Sequence, residues 1–211
     1  MSEIADIRRE YKLKALQEEE VNADPILQFN GWWIEAIESN IDEVNAMALA
    51  TVGTDGKPSV RIVLLKGFDS NGFIFFSNYQ SRKASEIEAN PNVSLVFFWK
   101  ELERQIRIEG PVKKIPEAES DAYFKTRPPG SQIGAWSSNQ SAVIDSRAML
   151  EKKSFELEKT FSDQIIPRPT FWGGYVVKPT LIEFWQGRPN RLHDRIRYRY
   201  ENKWIIERLS P

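Results

Sequence analysis

Residues 46–66 read AMALATVGTDGKPSVRIVLLK, and this stretch decides the fold class. Two apolar runs that contain β-branched residues, at 46–52 and 59–66, flank a turn at 53–58 that contains glycine, aspartate and proline. Two such runs joined by a short turn predict a hairpin of two antiparallel strands. The hairpin is the first part of a longer series of strands.

Short strands separated by turns continue along the chain after this hairpin. They are predicted at 73–77, 93–99, 104–108, 173–178, 180–185, 195–200 and 203–208. Helices are predicted at 2–20, 25–40, 81–90, 116–126, near 131–136 and at 146–161. A meander of this kind is typical of an antiparallel barrel, so we expect an α+β fold. A single domain at 21–211 is expected to follow a helical segment at 1–20.

Two segments carry more specific expectations. In the helix at 25–40, Asp24 is the expected N-cap, and the apolar residues that recur at helical spacing are expected to be buried. Those residues are Ile26, Phe29, Trp33 and Ile37. The stretch 128–139 is rich in proline, glycine and serine, and we predict that it is a mobile functional loop.

The composition narrows the chemistry that the chain can perform. Its 211 residues include 29 Lys and Arg against 30 Asp and Glu, no cysteine and a single histidine, His193. These counts exclude disulfides, thiolate nucleophiles and histidine-rich metal sites. The N-terminus lacks the apolar core of a signal peptide and no run approaches a membrane span, so we expect a cytoplasmic protein without a membrane partner. Because the formal net charge is −1, any anion site must be local.

The start of the helix at 81–90 combines a hydroxyl group with two cations. Ser81 is a natural N-cap, and Arg82 and Lys83 follow in the first turn. Cations at this end oppose the helix dipole, so a bound anion would explain them, although two solvated charges would explain them equally well.

A second candidate anion site, formed by two hydroxyl groups and a cation, is predicted around 123–131. Tyr123 and Arg127 lie four residues apart on one helix face, and Ser131 opens the next turn. The three side chains could converge on a phosphate. The alternative is a helix end whose C-terminal arginine suits the dipole.

Two further segments place cations on strands. In the strand at 59–66, Arg61 is the charged residue on one otherwise apolar face and Lys66 is the charged residue on the other. This pattern is compatible with a strand that lies beside a flat ligand and with an ordinary strand whose charged ends reach solvent. If the chain is extended from residue 191 onward, Arg191, His193 and Arg195 begin a cationic row that continues to 199. Such a row would repel itself unless acidic groups or an anionic ligand face it.

The dinucleotide, P-loop and nucleophile-elbow motifs are absent from the sequence.

These segments match a known family in order along the chain. The chain resembles the pyridoxine/pyridoxamine 5′-phosphate oxidases over nearly its whole length. The resemblance is carried by Arg9-Glu10-Tyr11, 61–66, Ser81-Arg82-Lys83, Glu103-Arg104-Gln105, YFKTRPPGSQIGAW at 123–136, Asn139-Gln140-Ser141, 171–175 and IEFWQGRPNRLHDR at 182–195. It implies an FMN-binding split β-barrel, Greek-key-like and antiparallel, with peripheral helices. It also implies a homodimer with FMN at the subunit interface.

The resemblance further implies which residues form the site. The residues expected to bind FMN are Arg61, Ile62, Val63, Leu64, Leu65, Lys66, Phe76, Ser77, Arg82, Lys83, Gln105, Gln140, Ser141, Trp185 and Arg195. Those expected to bind the substrate phosphate are Lys66, Tyr123, Arg127 and Ser131. Arg191 and His193 are the expected catalytic pair over the pyridine ring, and Arg8 and Tyr11 would form part of a lid over the substrate.

The implied activity is oxidation of pyridoxine or pyridoxamine 5′-phosphate at C4′ to pyridoxal 5′-phosphate, with O2 as acceptor and hydrogen peroxide as product. The amine would also release ammonia. Two alternative functions remain. Another split-barrel flavoprotein would bind FMN but would not need Tyr123, Arg127, Ser131, Arg191 and His193 all at once. A non-catalytic carrier of pyridoxal 5′-phosphate could use the same pocket but would release no peroxide. A nucleic-acid module is supported only by the arginine-rich stretch 188–199, so we expect no nucleic-acid partner.

Overall fold

The computed structural model describes residue 4 and residues 10–162 and 164–211. Its strands are β1 (Ala46–Val52), β2 (Pro58–Leu64), β3 (Gly67–Asp69), β4 (Gly72–Asn78), β5 (Asn92–Trp99), β6 (Arg104–Lys114), β7 (Trp172–Val177), β8 (Leu181–Gln186), β9 (Asp194–Tyr200) and β10 (Trp204–Arg208). Its α-helices are α1 (Pro25–Glu38), α2 (Arg82–Ala89), α3 (Glu117–Thr126), α4 (Pro129–Ser137) and α5 (Arg147–Thr160). Every strand predicted from the sequence is present, and β3 is an addition that was not predicted.

The chain divides into two compact units. Unit 1 comprises Met1–Leu49, Ser94–Gly110 and Pro179–Pro211, and unit 2 comprises Ala50–Val93 and Pro111–Lys178. The borders fall inside β1, β5 and β6, so each of these strands contributes residues to both units.

In unit 1, β10, β9, β8 and the first part of β6 pair in that order, and all of these pairs are antiparallel. Helix α1 begins as predicted: Asp24 accepts a hydrogen bond from the Ile26 N–H at 2.7 Å, and Pro25 occupies the first turn. The buried face of α1 differs from the predicted one, because Trp32 and Ala36 are buried while Ile37 is 51% exposed. Trp32 packs edge-on against the ring of Phe184, so the face of α1 that carries Trp32 is the buried one.

The N-terminal segment of unit 1 corrects a second prediction. Residues 10–20 are not helical, and the rest of the predicted helix at 2–20 lies largely outside the described residues. The backbone N–H groups of Lys12 and Leu13 donate to the carboxylate of Glu103, at 2.8 and 3.1 Å, and that of Leu16 donates to Asp194. These distant acceptors satisfy the backbone donors that a helix would have paired internally.

In unit 2, the antiparallel order is β3, β4, β7 and the last part of β6. The short helix predicted near 131–136 is present as α4, and it occupies most of 128–139, so the prediction of a mobile loop there is wrong. The side chain of Ile133 is buried in a cluster with Phe124 and Trp172, and the Gln132 amide donates to the carbonyl oxygens of Phe124 and Arg127. These contacts fix a stretch whose composition alone is typical of a loop.

Strand β2 alternates as predicted up to its end. Arg61 and Val63 are half-buried, while Ile62 and Leu64 on the other face are exposed. The strand ends at Leu64, but the alternation continues beyond it, because Leu65 is buried and Lys66 is exposed. The backbone N–H of Lys66 donates to the carbonyl of Ile74.

Candidate functional site

A cavity of about 690 Å³ lies in unit 2. It is lined by Arg61, Ile62, Val63, Leu64, Lys66, Phe76, Ser77, Lys83, Tyr123, Thr126, Arg127, Pro128, Ser131, Gln140 and Trp172. The cavity therefore brings together the four residues expected to bind the substrate phosphate and eight of the other residues expected to bind FMN. Leu65 is buried and is not among the residues that line the cavity.

Stacked aromatic rings form one wall of this cavity. The ring of Phe76 stacks on that of Tyr123 with 3.9 Å between centroids and on that of Trp172 with 5.4 Å. The rings are nearly parallel, with interplanar angles of 21° and 14°. Flat apolar walls of this kind suit an aromatic ligand and hold the Tyr123 ring in place.

Arg127 is a cation of this cavity with an unpaired, buried donor among the described residues. It follows the last residue of α3, and its guanidinium carbon lies 4.5 Å from the centroid of the Trp172 ring. Its Nη1 is buried and has no hydrogen-bond partner among the described residues. Burial lowers the pKa of Arg127, because removal from water disfavours the charged form. A buried donor without a partner costs free energy, which an anionic ligand at this position would recover.

Lys83 lies in the first turn of α2 and also lines the first cavity. Its Nζ donates to Gln140 Oε1 at 2.6 Å and to the hydroxyl oxygens of Ser77 and Ser81 at 3.1 and 3.3 Å. Burial and the nearby charge of Arg61 lower the pKa of Lys83 to about 8. An anion beside Nζ would favour the charged form and raise this pKa again.

Ser81 stands at the N-cap position of α2 as predicted, but its side chain does not cap the helix. The hydroxyl instead donates to the carbonyl oxygen of Asn78 at 2.7 Å. The backbone N–H groups in the first turn of α2 therefore remain for other acceptors. The Ser141 hydroxyl is one of these acceptors, because it accepts a hydrogen bond from the backbone N–H of Arg82.

A second cavity of unit 2, about 380 Å³ in volume, lies at this helix start. It is lined by Gln80, Arg82, Asn139, Gln140, Ser141 and Ala142. Gln140 also lines the first cavity, so the two cavities share this side chain. Arg82, Gln140 and Ser141, which the sequence predicts to act together, are thus neighbours in the structure.

Three other predicted residues form a row across the sheet of unit 1. Gln105 on β6 is the register partner of Trp185 on β8, and Trp185 is the partner of Arg195 on β9. Arg195 Nε donates to the carboxylate of Glu183 at 2.8 Å. Directly opposed residues of neighbouring strands project from the same face, so the three side chains form one surface.

The rings of Tyr11 and His193 lie close to that of Trp185, the middle residue of this row. Trp185 lies 4.6 Å from His193 and 5.8 Å from Tyr11, measured between ring centroids. Gly187 makes this contact possible, because a Cβ at that position would lie 2.7 Å from Cγ of Tyr11. The other predicted lid residue, Arg8, lies outside the described residues.

His193 is held as a neutral imidazole. Its Nδ1 accepts a hydrogen bond from the backbone N–H of Arg188 at 3.1 Å, which requires that the proton of the neutral ring is on Nε2. Burial and the charge of Arg191 lower the pKa of His193. The ring can therefore offer a ligand one N–H donor, at Nε2.

The predicted cationic row is shorter than expected. Arg191 lies in a short 3₁₀ turn with φ of +62°, and His193 precedes β9, so neither continues the strand face. Arginines 195, 197 and 199 share that face, and carboxylates pair with them: Glu183 with the first and Glu207 with the other two. Acidic groups therefore face the row and relieve its repulsion.

Three residues that line the first cavity were not assigned a ligand contact from the sequence: Thr126, Pro128 and Trp172. Trp172 begins β7, in which every residue is buried, so its place in the sequence is typical of a residue in the hydrophobic core. Glu86, which contacts two of the predicted cations, was also missed. It is a charged residue in an otherwise ordinary polar helix, and only the fold shows that it is buried.

Solved structures with the same architecture define the class of protein. PhzG from Burkholderia lata 383, solved in complex with tetrahydrophenazine-1-carboxylic acid, superposes with a TM-score of 0.89 at 30% identity and covers 94% of this chain and 99% of its own. A pyridoxamine 5′-phosphate oxidase-related, FMN binding protein from Nostoc punctiforme PCC 73102 has a TM-score of 0.72 at 16% identity, covering 90% and 100%. The chain is a split β-barrel protein of this kind, which confirms the expected fold class.

Sequence comparison identifies the family within this class. Residues 34–161 match the family "Pyridoxamine 5′-phosphate oxidase", and residues 172–211 match "Pyridoxine 5′-phosphate oxidase C-terminal dimerisation region". Pyridoxine/pyridoxamine 5′-phosphate oxidases of Acaryochloris marina and Salinibacter ruber are 56% and 54% identical, covering 99% and 100% of this chain and 95% and 100% of their own. The chain belongs to the pyridoxamine 5′-phosphate oxidase family, as the resemblance indicated.

Proposed function

We propose that this chain oxidises pyridoxine 5′-phosphate and pyridoxamine 5′-phosphate to pyridoxal 5′-phosphate. Family membership gives the reaction class: the chain is an FMN-dependent oxidoreductase. The observation that carries the substrate assignment is the cavity of unit 2, which Arg127 lines together with Lys66, Tyr123 and Ser131. The Nη1 of Arg127 has no hydrogen-bond partner among the described residues. These groups have the charge and the donors that a phosphate monoester requires.

The residues present fit FMN. The start of α2 offers backbone N–H groups with Arg82 and Lys83 in its first turn, and the lowered pKa of Lys83 indicates a cation that an anion would stabilise. Residues 61–64, Lys66, Phe76, Ser77 and Gln140 line the first cavity and would contact the flavin. From the resemblance we propose that Leu65, Gln105, Ser141, Trp185 and Arg195 also belong to the FMN site. Bound FMN would supply two-electron oxidation at C4′, with O2 as the final acceptor and hydrogen peroxide as product.

The remaining residues would orient the substrate. The phosphate would be bound by Lys66, Tyr123, Arg127 and Ser131, and the stacked wall would exclude water from one side of the cavity. Arg191 and His193 would close over the pyridine ring, with His193 donating from Nε2. Tyr11 and Arg8 would form part of a lid, and water would hydrolyse the imine produced from the amine substrate.

The chain is a homodimer, in line with the dimerisation region at 172–211. We place FMN at the interface of the two subunits. Among the described residues, no helix has the length and apolar character needed to cross a membrane. The proposed compartment is the cytoplasm.

An anaerobic visible spectrum, recorded before and after addition of pyridoxine 5′-phosphate, tests the proposed function. Yellow flavin bands that bleach on addition and return in air are the expected result. Flavin bands that persist would contradict the substrate, and a colourless protein that takes up no added FMN would contradict the cofactor site.

The lowered pKa of Lys83 predicts how FMN affinity depends on pH. Below about pH 8 the amine is already charged in the free protein, so binding needs no proton at this site. Above that pH the free amine is neutral and must take up a proton when the phosphate binds, so the dissociation constant should rise by up to about tenfold per pH unit. Fluorescence quenching of FMN measures this constant.

Lys83→Arg is the matched control, because arginine stays charged throughout this range. Its FMN dissociation constant should not change above about pH 8. The same rise in Lys83→Arg as in the unaltered protein would assign the proton to another group.

A further inference from the structure

One buried carboxylate contacts both Arg82, at the start of α2, and Arg61 of β2. Glu86 is 7% exposed and lies one helical turn after Arg82. Its Oε1 accepts a hydrogen bond from Arg82 Nε at 2.7 Å, and its Oε2 accepts one from an Arg61 Nη2 at 3.2 Å. A single carboxylate therefore contacts two of the cations proposed to bind FMN.

Two hydroxyl groups complete the contact with Arg61. Thr51 Oγ1 and Ser59 Oγ donate to Glu86 Oε2 at 2.5 and 2.6 Å, and both oxygens accept from the Arg61 guanidinium. A hydroxyl has one hydrogen and two lone pairs, so each can make both bonds at once. Residues of β1, β2 and α2 therefore hold the Arg61 guanidinium in place.

Glu86 is ionised at every pH at which the protein would act. Burial opposes its ionisation, but hydrogen bonds from the two hydroxyls and the two guanidinium groups outweigh burial and lower its pKa to about 2. With Arg61, Arg82 and Lys83 charged, one carboxylate leaves the cluster with a net charge of +2. A phosphate monoester carries about −1.5 to −2 at neutral pH, so the two charges are complementary.

We propose that Glu86 is a positioning residue for the FMN phosphate, which fixes the directions of the Arg61 and Arg82 guanidinium groups. This inference rests on the FMN site of the proposed function. It assigns a role in cofactor binding to an acidic residue, although a carboxylate beside a phosphate site is unfavourable by charge alone. Its benefit is that the two guanidinium groups are preorganised before the phosphate arrives.

Glu86→Gln separates positioning from charge, because the two effects have opposite signs. If only net charge mattered, removal of a negative charge would strengthen FMN binding. If Glu86 positions the cations, loss of the charged acceptor should weaken FMN binding by about tenfold or more. Binding of riboflavin, which has no phosphate, should change by less than about twofold. Fluorescence titration of both ligands measures the ratio of the two affinities.

Glu88→Gln is the matched control, because Glu88 is an exposed acid on the same helix and the charge change is the same. It should leave both affinities unchanged. Unaltered protein that binds no FMN would contradict the proposed function itself. Unaltered protein that binds FMN, beside a Glu86→Gln variant that binds it equally or more tightly, would overturn the positioning role alone. Equal weakening of both ligands in that variant would also overturn it.

Ser59→Ala is the second variant if Glu86→Gln does not fold. It removes one hydroxyl between Glu86 and Arg61 and leaves the ion pair in place. We expect FMN affinity to fall by about threefold with riboflavin affinity unchanged. An unchanged FMN affinity in this variant would count against the inference.

Discussion

Replacing Arg127 with alanine should raise KM for pyridoxine 5′-phosphate by about a hundredfold. The guanidinium carries a buried Nη1 with no hydrogen-bond partner among the described residues, and it lies over the Trp172 ring at the cavity wall. Charge-assisted hydrogen bonds to a phosphate are worth about 1.5–3 kcal/mol, and the upper value corresponds to about a hundredfold in affinity. Steady-state peroxide production at varied substrate concentration measures the change.

Arg127→Lys distinguishes geometry from charge at the same position. Lysine keeps the positive charge but has no planar fork, so we expect an intermediate KM, about tenfold above that of the unaltered protein. FMN affinity should be unchanged in both variants, because Lys83 and Arg82 are the cations proposed for the cofactor phosphate. Loss of FMN with an unchanged substrate KM would reverse the assignment of the two phosphates.

Much of the sheet could be predicted because local patterns decide it. The hairpin at 46–66 forms as expected, and the alternation of Arg61 and Val63 with Ile62 and Leu64 appears in the burial of β2. The convergence of Tyr123, Arg127 and Ser131 on one cavity also follows from short spacing across a helix end. Neighbours in the chain determine each of these features.

The wrong predictions involve groups that are distant in the chain. Residues 10–20 have the composition of a helix, but the acceptors of their N–H groups come from Glu103 and Asp194. The stretch 128–139 has the composition of a loop, but Ile133 within it packs in a buried cluster with Trp172, which lies much later in the chain. Such partners become visible only once the chain has folded.

The same limit applies within the candidate site. The cations at 82–83 could be recognised from their place at a helix start. The role of Glu86 could not, because the hydroxyls of Thr51 and Ser59 that surround it lie on two strands far earlier in the chain. Sequence spacing identifies groups that face a ligand more readily than groups that hold those side chains in place.

Replacing Arg191 with alanine should raise KM by about ten- to a hundredfold and also lower kcat, because the variant loses a charged contact to the substrate. It should also change the pH profile. Burial and the Arg191 charge both lower the pKa of His193, so removing the charge should let this pKa rise. Activity that requires neutral His193 falls as the pH drops through that pKa. The acid limb of kcat/KM should therefore move to higher pH in the variant.

Arg191→Lys provides the control for this shift. Lysine keeps the charge near His193, so the acid limb should stay where it lies in the unaltered protein, while KM still rises because the guanidinium fork is lost. The Nδ1 contact with the Arg188 backbone N–H is common to all three proteins, so the tautomer of His193 should not change. An acid limb at the same pH in Arg191→Ala would mean that another group titrates there. Unchanged KM and kcat in that variant would remove Arg191 from the substrate site.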